Sequence, residues 1–568
     1  MKPDVKHMKW WGWGEEGVFF NYLNKPAFAP FVKKALNIDL RPRKIDTIAF
    51  DPATVAESEV PGALLEALVA ATDADQVTTD AHERVVHGHG SSVTELLHVS
   101  RGDYGRLPEV VVYPRTDAEV AAVLAAAVEQ DAVVVPYGGG TNIARSLQLD
   151  PAERRPIVSL DTGLLAGLYE LDEEAGLARV GGGMQGPALE EALNDRGWTL
   201  GHMPDSFTHS TVGGWAATRS SGMQSDKYGD IADIVRGMTV VRPSGTVSLK
   251  PVPSESTGPS LREMFIGSEG RLGVITELWV QVHRLPAERT VVAYMYPEWK
   301  TAVAAIRQIS DEEIPTTFVR ISDGNETGFS LATQKAATTV KKKVEAAGQK
   351  GLWALMRKRG WDTDQMCISY VCFEGSAEDV ARRRKAVDKI AKTHGALVLG
   401  TGPGALYDQK KFDTPYLRDF LLEQDVMGDV SETAAPWSKL NGIHRAVYAA
   451  AEKAYQQLGR KGWVMCHLSH SYHVGACLYF TFAFKVGDNP DAEYALLKTS
   501  IQQAFVDNGG TLSHHHGVGM EHAPWMEQVV SAEGVAIMRS LFDATDPGRN
   551  LNPGKIIDPA ISLFDALD

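Results

Sequence analysis

Four short loops rich in glycine and small hydroxyl residues fall between Pro136 and Thr276, in a stretch where brief strands alternate with helices. A chain punctuated this way cannot be a simple helix bundle, because glycine turns break each helix before it grows long. The first loop, Pro136-Tyr137-Gly138-Gly139-Gly140-Thr141-Asn142, directly follows the β-branched run 132–135, which Pro136 is expected to end. Its glycines permit positive φ and let backbone N–H groups face an anion with no Cβ in the way. A diphosphate cradle and a tight structural turn use the same residues.

The second loop, Gly181-Gly182-Gly183-Met184-Gln185-Gly186, fits G-x-G-x-x-G and precedes a helix over 187–194. The dinucleotide fingerprint needs a parallel βαβ unit. Here the strand 177–180 returns from a turn at 172–176, the pattern of an antiparallel hairpin, so nicotinamide dinucleotide binding through this loop is rejected. The third cluster is denser: Pro204-Asp205-Ser206, Ser210-Thr211-Val212-Gly213-Gly214 and Thr218-Arg219-Ser220-Ser221-Gly222. The fourth is Gly267-Ser268-Glu269-Gly270-Arg271-Leu272-Gly273-Val274-Ile275-Thr276. Four such loops in one segment point to one shared, large, flat cofactor.

The 568 residues suffice for three or four domain-sized units. A net charge of −15 argues against a general nucleic-acid binder, which needs a basic face. Cys367, Cys372, Cys466 and Cys477 form no C-x-x-C pair and read as buried structural thiols in a reducing compartment. The start, MKPDVKHMKWWGWGEEGVFF, has no apolar core of a secretory signal, and no run is long enough to span a bilayer. A cytoplasmic protein is expected, with peripheral contact on the inner membrane surface as its only lipid contact. The segment 341–360 holds seven Lys or Arg against one Glu, with Leu352, Trp353, Leu355 and Met356 between them, and reads either as surface-seeking on anionic lipid or as a solvated helix. Residues 1–103 form a helical and irregular arm whose Trp10, Trp11 and Trp13 are expected to dock on the body. At Leu107 the texture changes to strand, helix, strand; Thr116 and Glu119 predict a capping box, and Val120, Val123, Leu124, Ala127 and Val128 an apolar helical stripe.

PYGGGTN, GHMPDSFTHSTVGGWAATRSSGM and GSEGRLGVITE resemble the FAD-binding domain of the vanillyl-alcohol-oxidase, or PCMH-type, flavoprotein superfamily. Within it the chain is similar to the alkyldihydroxyacetonephosphate synthases (alkylglycerone-phosphate synthases), on MKWWGWG at 8–14, HGHG at 87–90, FVRISD at 318–323, GACLYFTFAF at 475–484 and NGGTLSHHHGVG at 508–519. The resemblance implies an α+β fold: a two-subdomain FAD-binding domain over 104–286, a cap domain over 287–508 built on an antiparallel sheet flanked by helices, and a C-terminal segment, 509–568, returning to the flavin. It implies noncovalent FAD held by Pro136, Tyr137, Gly138, Gly139, Gly140, Thr141, Asn142, Asp205, Ser206, Ser210, Thr211, Gly214, Thr218, Ser220, Ser221, Glu269, Gly273 and Ile275. No histidine or cysteine lies in the first loop, so a covalent flavin link is not expected there. The implied reaction exchanges the acyl chain of acyl-dihydroxyacetone phosphate for a fatty alcohol, forming an ether bond through an adduct at flavin N5. A homodimer is expected by the same similarity.

Arg320, Tyr479, His514, His515 and His516 are the implied reacting centre. A guanidinium forks onto phosphate or carboxylate, though Arg320 on an alternating strand also suits a surface ion pair. Tyr479 sits in an apolar strand where its hydroxyl needs a partner. In an extended segment His514 and His516 share one face and His515 points away. Imidazoles suit proton transfer. A metal at this run, with His522 as an added ligand, is set aside because no carboxylate and cysteine complete the set, and no metal is expected. The ending Asn550-Leu551-Asn552-Pro553-Gly554-Lys555 is similar to D-lactate dehydrogenases and glycolate oxidases. It leaves open FAD-dependent oxidation of a 2-hydroxy acid. A flavin-binding protein without catalysis would need neither Arg320, Tyr479 nor the histidine run.

Overall fold

The computed structural model describes residues 4–41, 48–335, 356–408 and 415–567; the basic segment singled out above therefore lies, over 341–355, outside the described residues. The glycine loops are carried by two sheets. One has four strands in the order Val77–Thr78, Val110–Val112, Ile157–Asp161, Val133–Tyr137, of which the last three run parallel. These strands are valine-rich because both faces are covered. The helix Asp117–Glu129 lays Val120, Val123, Leu124 and Ala127 against them, together with Leu64 and Leu68 of the helix Gly62–Ala71. Thr116 caps that helix, its hydroxyl accepting the Glu119 N–H at 3.1 Å. The expected reciprocal half of the box does not form: Glu119 Oε2 accepts from Arg115 N–H and Gln76 Nε2 instead.

Pro136 does not end its strand. It pairs with Leu160. Val134, two residues earlier, turns its N–H and C=O outward to Asn550 and Asn552 of the C-terminal segment, so Pro136 also faces outward. A missing N–H costs no ladder bond on that side.

The second sheet runs Leu168–Asp172, Leu177–Gly181, Val274–Gln281, Val235–Arg242, Gly245–Leu249, all antiparallel. Leu177–Gly181 does hairpin back along Leu168–Asp172, which disposes of the second glycine loop as a dinucleotide fingerprint.

The cap is a seven-stranded antiparallel sheet, ordered Leu397–Gly400, Glu288–Tyr296, Cys367–Gly375, Phe318–Ser322, Gly462–Ser471, Gly475–Lys485, Val426–Pro436. In Gly475–Lys485, Leu478, Phe480 and Phe484 are buried in the helix-packed core, which includes Leu440, Ile443 and Val447 of the helix Trp437–Gln457 and Leu497 and Ile501 of Pro490–Asp507. The alternate residues Tyr479, Thr481 and Ala483 face the cavity that the glycine loops also line. The four cysteines are buried and free. Trp10, Trp11 and Trp13 are each less than a tenth exposed, and Trp13 N–H donates to Asp419 Oδ2 at 2.7 Å, so the arm is docked. Among the described residues no helix is long and apolar enough to cross a membrane.

Candidate active site

The glycine loops and the cap sheet enclose one cavity of about 1580 Å³. Every residue expected at the cofactor lines it: residues 136–142, Asp205, Ser206, Ser210, Thr211, Gly214, Thr218, Ser220, Ser221, Glu269, Gly273 and Ile275. A Cβ on Gly139 would stand 1.9 Å from His209 O, and one on Gly138 2.5 Å from Thr211 Oγ1, so the first and third loops meet only because these residues are glycine. Among the described residues the N–H groups of Gly138, Gly139, Gly140 and Thr141 have no protein acceptor. A row of unspent N–H donors beside small residues fits the diphosphate of FAD. Besides lining the cavity, Asn142 and Glu269 make contacts of their own. Asn142 Nδ2 donates to His516 O at 3.2 Å, and Glu269 accepts from Val518 N, Gly519 N and Ser146 Oγ, so both tie the histidine segment to the cofactor loops.

The histidine run is not extended, and the expected alternation is broken. His515 and His516 line the cavity, while His514 turns away to Tyr472, whose hydroxyl lies 2.6 Å from His514 Nε2. The cause is Glu432. Its buried carboxylate accepts from the backbone N–H of His514 (2.5 Å), His515 (2.9 Å) and His516 (3.0 Å) and from Ser513 Oγ (2.8 Å), which curls the segment round one anion. Burial alone would raise the Glu432 carboxyl, but the imidazoles and the donated N–H hold it well below the ordinary range. Burial pushes the imidazole of His515 down to about 3 and that of His516 down to about 4. Both are therefore neutral at neutral pH and are not fixed cations. The ligand set judged incomplete above is in fact completed in space: Glu432, Cys477, His514 and His515 bring possible ligand atoms within 4.8 Å of one another. Glu432 and Cys477 arrive from neighbouring strands. The Glu432 oxygens are already spent on N–H donors, and burial raises the Cys477 thiol.

Arg320 is not in a surface pair. It faces the cavity and donates to Glu326 Oε1 at 2.7 Å, with His467 Nδ1 at 3.0 Å. Burial opposes ionisation of Glu326, but His467 and Arg320 bring its carboxyl down to about 2. Asp205, which is exposed to the cavity, lies near enough to feel Arg320 and His467. Tyr479 stacks on His467 with ring centres 4.6 Å apart and lies 5.4 Å from His516. Burial, then Asp205, Asp429 and Glu432, raises its phenol well above the ordinary value, so it stays protonated. Glu432 and His467 are the direct register partners of Tyr479 on its two flanking strands. Sequence reasoning missed Glu432, Glu326 and His467; Glu432 and His467 are brought to Tyr479 by strand register, and Glu326 reaches Arg320 and His467 from the helix Gly324–Ala332.

From this polar centre the cavity continues into an apolar arm lined by Phe19, Phe20, Phe28, Phe31, Val32 and Leu36 from the N-terminal arm and by Leu417 and Leu421 of the helix Tyr416–Leu422.

Residues 108–249 match the FAD binding domain family and residues 285–556 the FAD linked oxidases C-terminal domain family. The chain is 33% identical to alkyldihydroxyacetonephosphate synthase of Dictyostelium discoideum, over 97% of this chain and 94% of that one. A solved structure of alkyldihydroxyacetonephosphate synthase superposes with a TM-score of 0.82 at 31% identity, covering 96% of this chain and 98% of the other. Substrate-bound p-cresol methylhydroxylase superposes at a TM-score of 0.65 and 15% identity, over 88% and 97% of the two chains, a likeness of fold alone. The chain belongs to the alkyldihydroxyacetonephosphate synthase family of FAD-dependent proteins.

Proposed function

We propose that the protein exchanges the acyl group of acyl-dihydroxyacetone phosphate for a fatty alcohol, forming an ether lipid and releasing a carboxylate. The observation that carries this reading is the union, in one cavity, of Arg320, Tyr479 and two neutral imidazoles with a long arm walled by phenylalanine and aliphatic side chains. An anionic headgroup and a long chain need both ends at once.

FAD, when bound, supplies a ring able to act as nucleophile or electron acceptor. Residues 136–142, Ser206, Ser210, Thr218, Ser220 and Ser221, which line the cavity, would hold it. The chain's own groups do the rest. Arg320, oriented by Glu326, binds the phosphate or the departing carboxylate. His515 or His516 takes the proton from C1 of the substrate, which a neutral imidazole does as a general base. Tyr479, held protonated, donates to an oxygen on which charge develops. The apolar arm seats the acyl chain and then the alcohol, and keeps water from competing. Acid plus ether equals ester plus alcohol, so no electrons leave the site. The lipid substrates reach it from a membrane surface, and flotation with anionic vesicles tests that contact.

The decisive experiment is anaerobic. Enzyme, acyl-dihydroxyacetone phosphate and hexadecanol, with no electron acceptor, should yield ether product and carboxylate in equal amounts. Flavin bleaching by a 2-hydroxy acid, with no ether product from the lipids, would refute the reading. The C-terminal motif shared with hydroxy-acid enzymes does not favour oxidation, since Asn552 Nδ2 donates to Ser146 O and Glu269 O and serves to clamp the cofactor loops.

A further inference from the structure

We propose that the N-terminal arm is pinned to the parallel sheet by one divalent transition-metal ion of the zinc class, held by His7, Glu83, His87 and Asp161. These side chains meet behind the first glycine loop, away from the reacting centre. His7 Nε2 lies 3.8 Å from Glu83 Oε2 and 3.7 Å from Asp161 Oδ2, and His87 Nε2 lies 2.8 Å from Asp161 Oδ2. Possible ligand atoms of His7, Glu83 and His87 all fall within 4.8 Å of one another. Asp161 lies outside that group and reaches it only through its contacts with the two imidazoles, so His7, Glu83 and His87 form the core of the set and Asp161 becomes its fourth member on a side-chain shift.

Charge makes the same demand. Glu83 and Asp161 are buried carboxylates, and both pair with the imidazoles of His7 and His87. One divalent ion would neutralise both carboxylates at once. The outer contacts already orient such ligands. His87 Nδ1 is 2.7 Å from Glu83 O, which orients the ring so that Nε2 points into the cluster, toward Asp161 Oδ2. Asp161 Oδ1 accepts the Gly163 N–H at 2.6 Å, leaving Oδ2 to the cluster, and the Tyr113 hydroxyl donates to Glu83. Two imidazoles in the set favour zinc, iron or nickel over magnesium or calcium.

The arm is built to reach this place. A Cβ on Gly163 would stand 2.4 Å from Val5, and Gln185 Nε2 donates to Lys6 O at 3.2 Å. The His87 ring lies 4.3 Å from that of Tyr137, whose backbone opens the glycine loop. The ion therefore joins two things the cavity needs, the arm that carries Phe19 and Phe20 and the strand end that carries the cofactor loop.

The test is metal analysis of the flavin-loaded protein, purified without chelators from zinc-supplemented cells and desalted. Mass spectrometry of the elements should find about one transition-metal ion per chain. His7→Ala and His87→Ala, with flavin absorbance retained, should each drop it below about 0.2. Chelation of the wild type should lower the melting temperature and speed tryptic cutting of the arm, and added zinc chloride should reverse both, a readout that stands even where a variant misfolds. Metal-free wild type with no thermal response to zinc overturns the proposal. An ion retained in both variants also overturns it, by placing the ion elsewhere, such as beside Glu432 and Cys477.

Discussion

Glu432→Gln tests the claim that one buried anion shapes the reacting centre. The carboxylate accepts four donors, three on Oε1 and the His514 N–H on Oε2. Glutamine keeps the size and keeps one oxygen, which best replaces Oε1. Its NH₂ then confronts the His514 N–H, donor against donor. A hydrogen bond to a charged group contributes about 1.5–3 kcal/mol, and one to a neutral group about 1 kcal/mol. Losing one bond outright and weakening three others costs about 4 kcal/mol or more, offset in part because the neutral amide is cheaper to bury. A net loss of about 2–4 kcal/mol in the ordering of the histidine segment remains.

If that ordering is what positions His515 and His516, kcat should fall about thirtyfold to a thousandfold. FAD content should stay at wild-type level, because Glu432 does not line the cofactor loops. The assay is alkyl exchange under saturating lipid, with flavin absorbance and a thermal melt on the same sample. Ser513→Ala, which removes one donor of the four, should lie between the two. A Gln variant with kcat within about threefold of wild type at equal flavin content would show that the histidines are placed by something else.

Gly139→Ala drives a Cβ into His209 O and should give colourless or misfolded protein, whereas Gly442→Ala, in a helix with open space around it, should keep its flavin; equal flavin content in both would refute the loop packing. Tyr479→Phe and His516→Ala should bind FAD normally and lose turnover by roughly a hundredfold, the scale of lost general acid–base catalysis, and full activity in both would clear them of the chemistry. Ala35→Trp fills the apolar arm and should raise KM for long alcohols while sparing short ones; an unchanged chain-length profile would mean the chain lies elsewhere. Stability should fall with acid earlier than carboxylates alone require. The folded imidazoles of His515, His516 and His522 are depressed to about 3, 4 and 4, below the unfolded value of 6.5, so the unfolded state gains protons first and stability is lost progressively from about pH 6.5 downward. A melting temperature constant from about pH 7.5 to 5 would contradict this.

The parts of the site that were legible in the amino-acid sequence are those made by near neighbours. A glycine loop after a β-branched strand is a local pattern, and its N–H groups face the same way whatever packs above. The alternation that aims Tyr479 at the cavity is local too. What failed were statements needing a partner far along the chain. Pro136 does not stop its strand, because segment 550–552 fixes which side faces outward. His514 and His516 do not share a face, because Glu432, some eighty residues earlier, curls the run. The helix Phe28–Leu36 is plainly amphipathic, yet nothing in its own residues says that its apolar side meets Leu417 and Leu421 to form an arm for a chain.

The same distinction bears on the likeness to hydroxy-acid enzymes. The residues carrying it, 550–555, lie under the cofactor loops: Asn550 Nδ2 donates to Ala132 O, Asn552 Nδ2 to Ser146 O and Glu269 O, and Arg271 to Lys555 O. Such contacts hold FAD loops in place for any reaction a flavin supports. The groups that select a reaction are those facing the open space, and here they are two imidazoles kept neutral by burial, a phenol kept protonated and an arginine already braced by Glu326. A centre so arranged suits proton transfer and anion binding, and the apolar arm beside it suits a chain. That is what ester-to-ether exchange asks of a protein, and oxidation of a small hydroxy acid has no use for the arm.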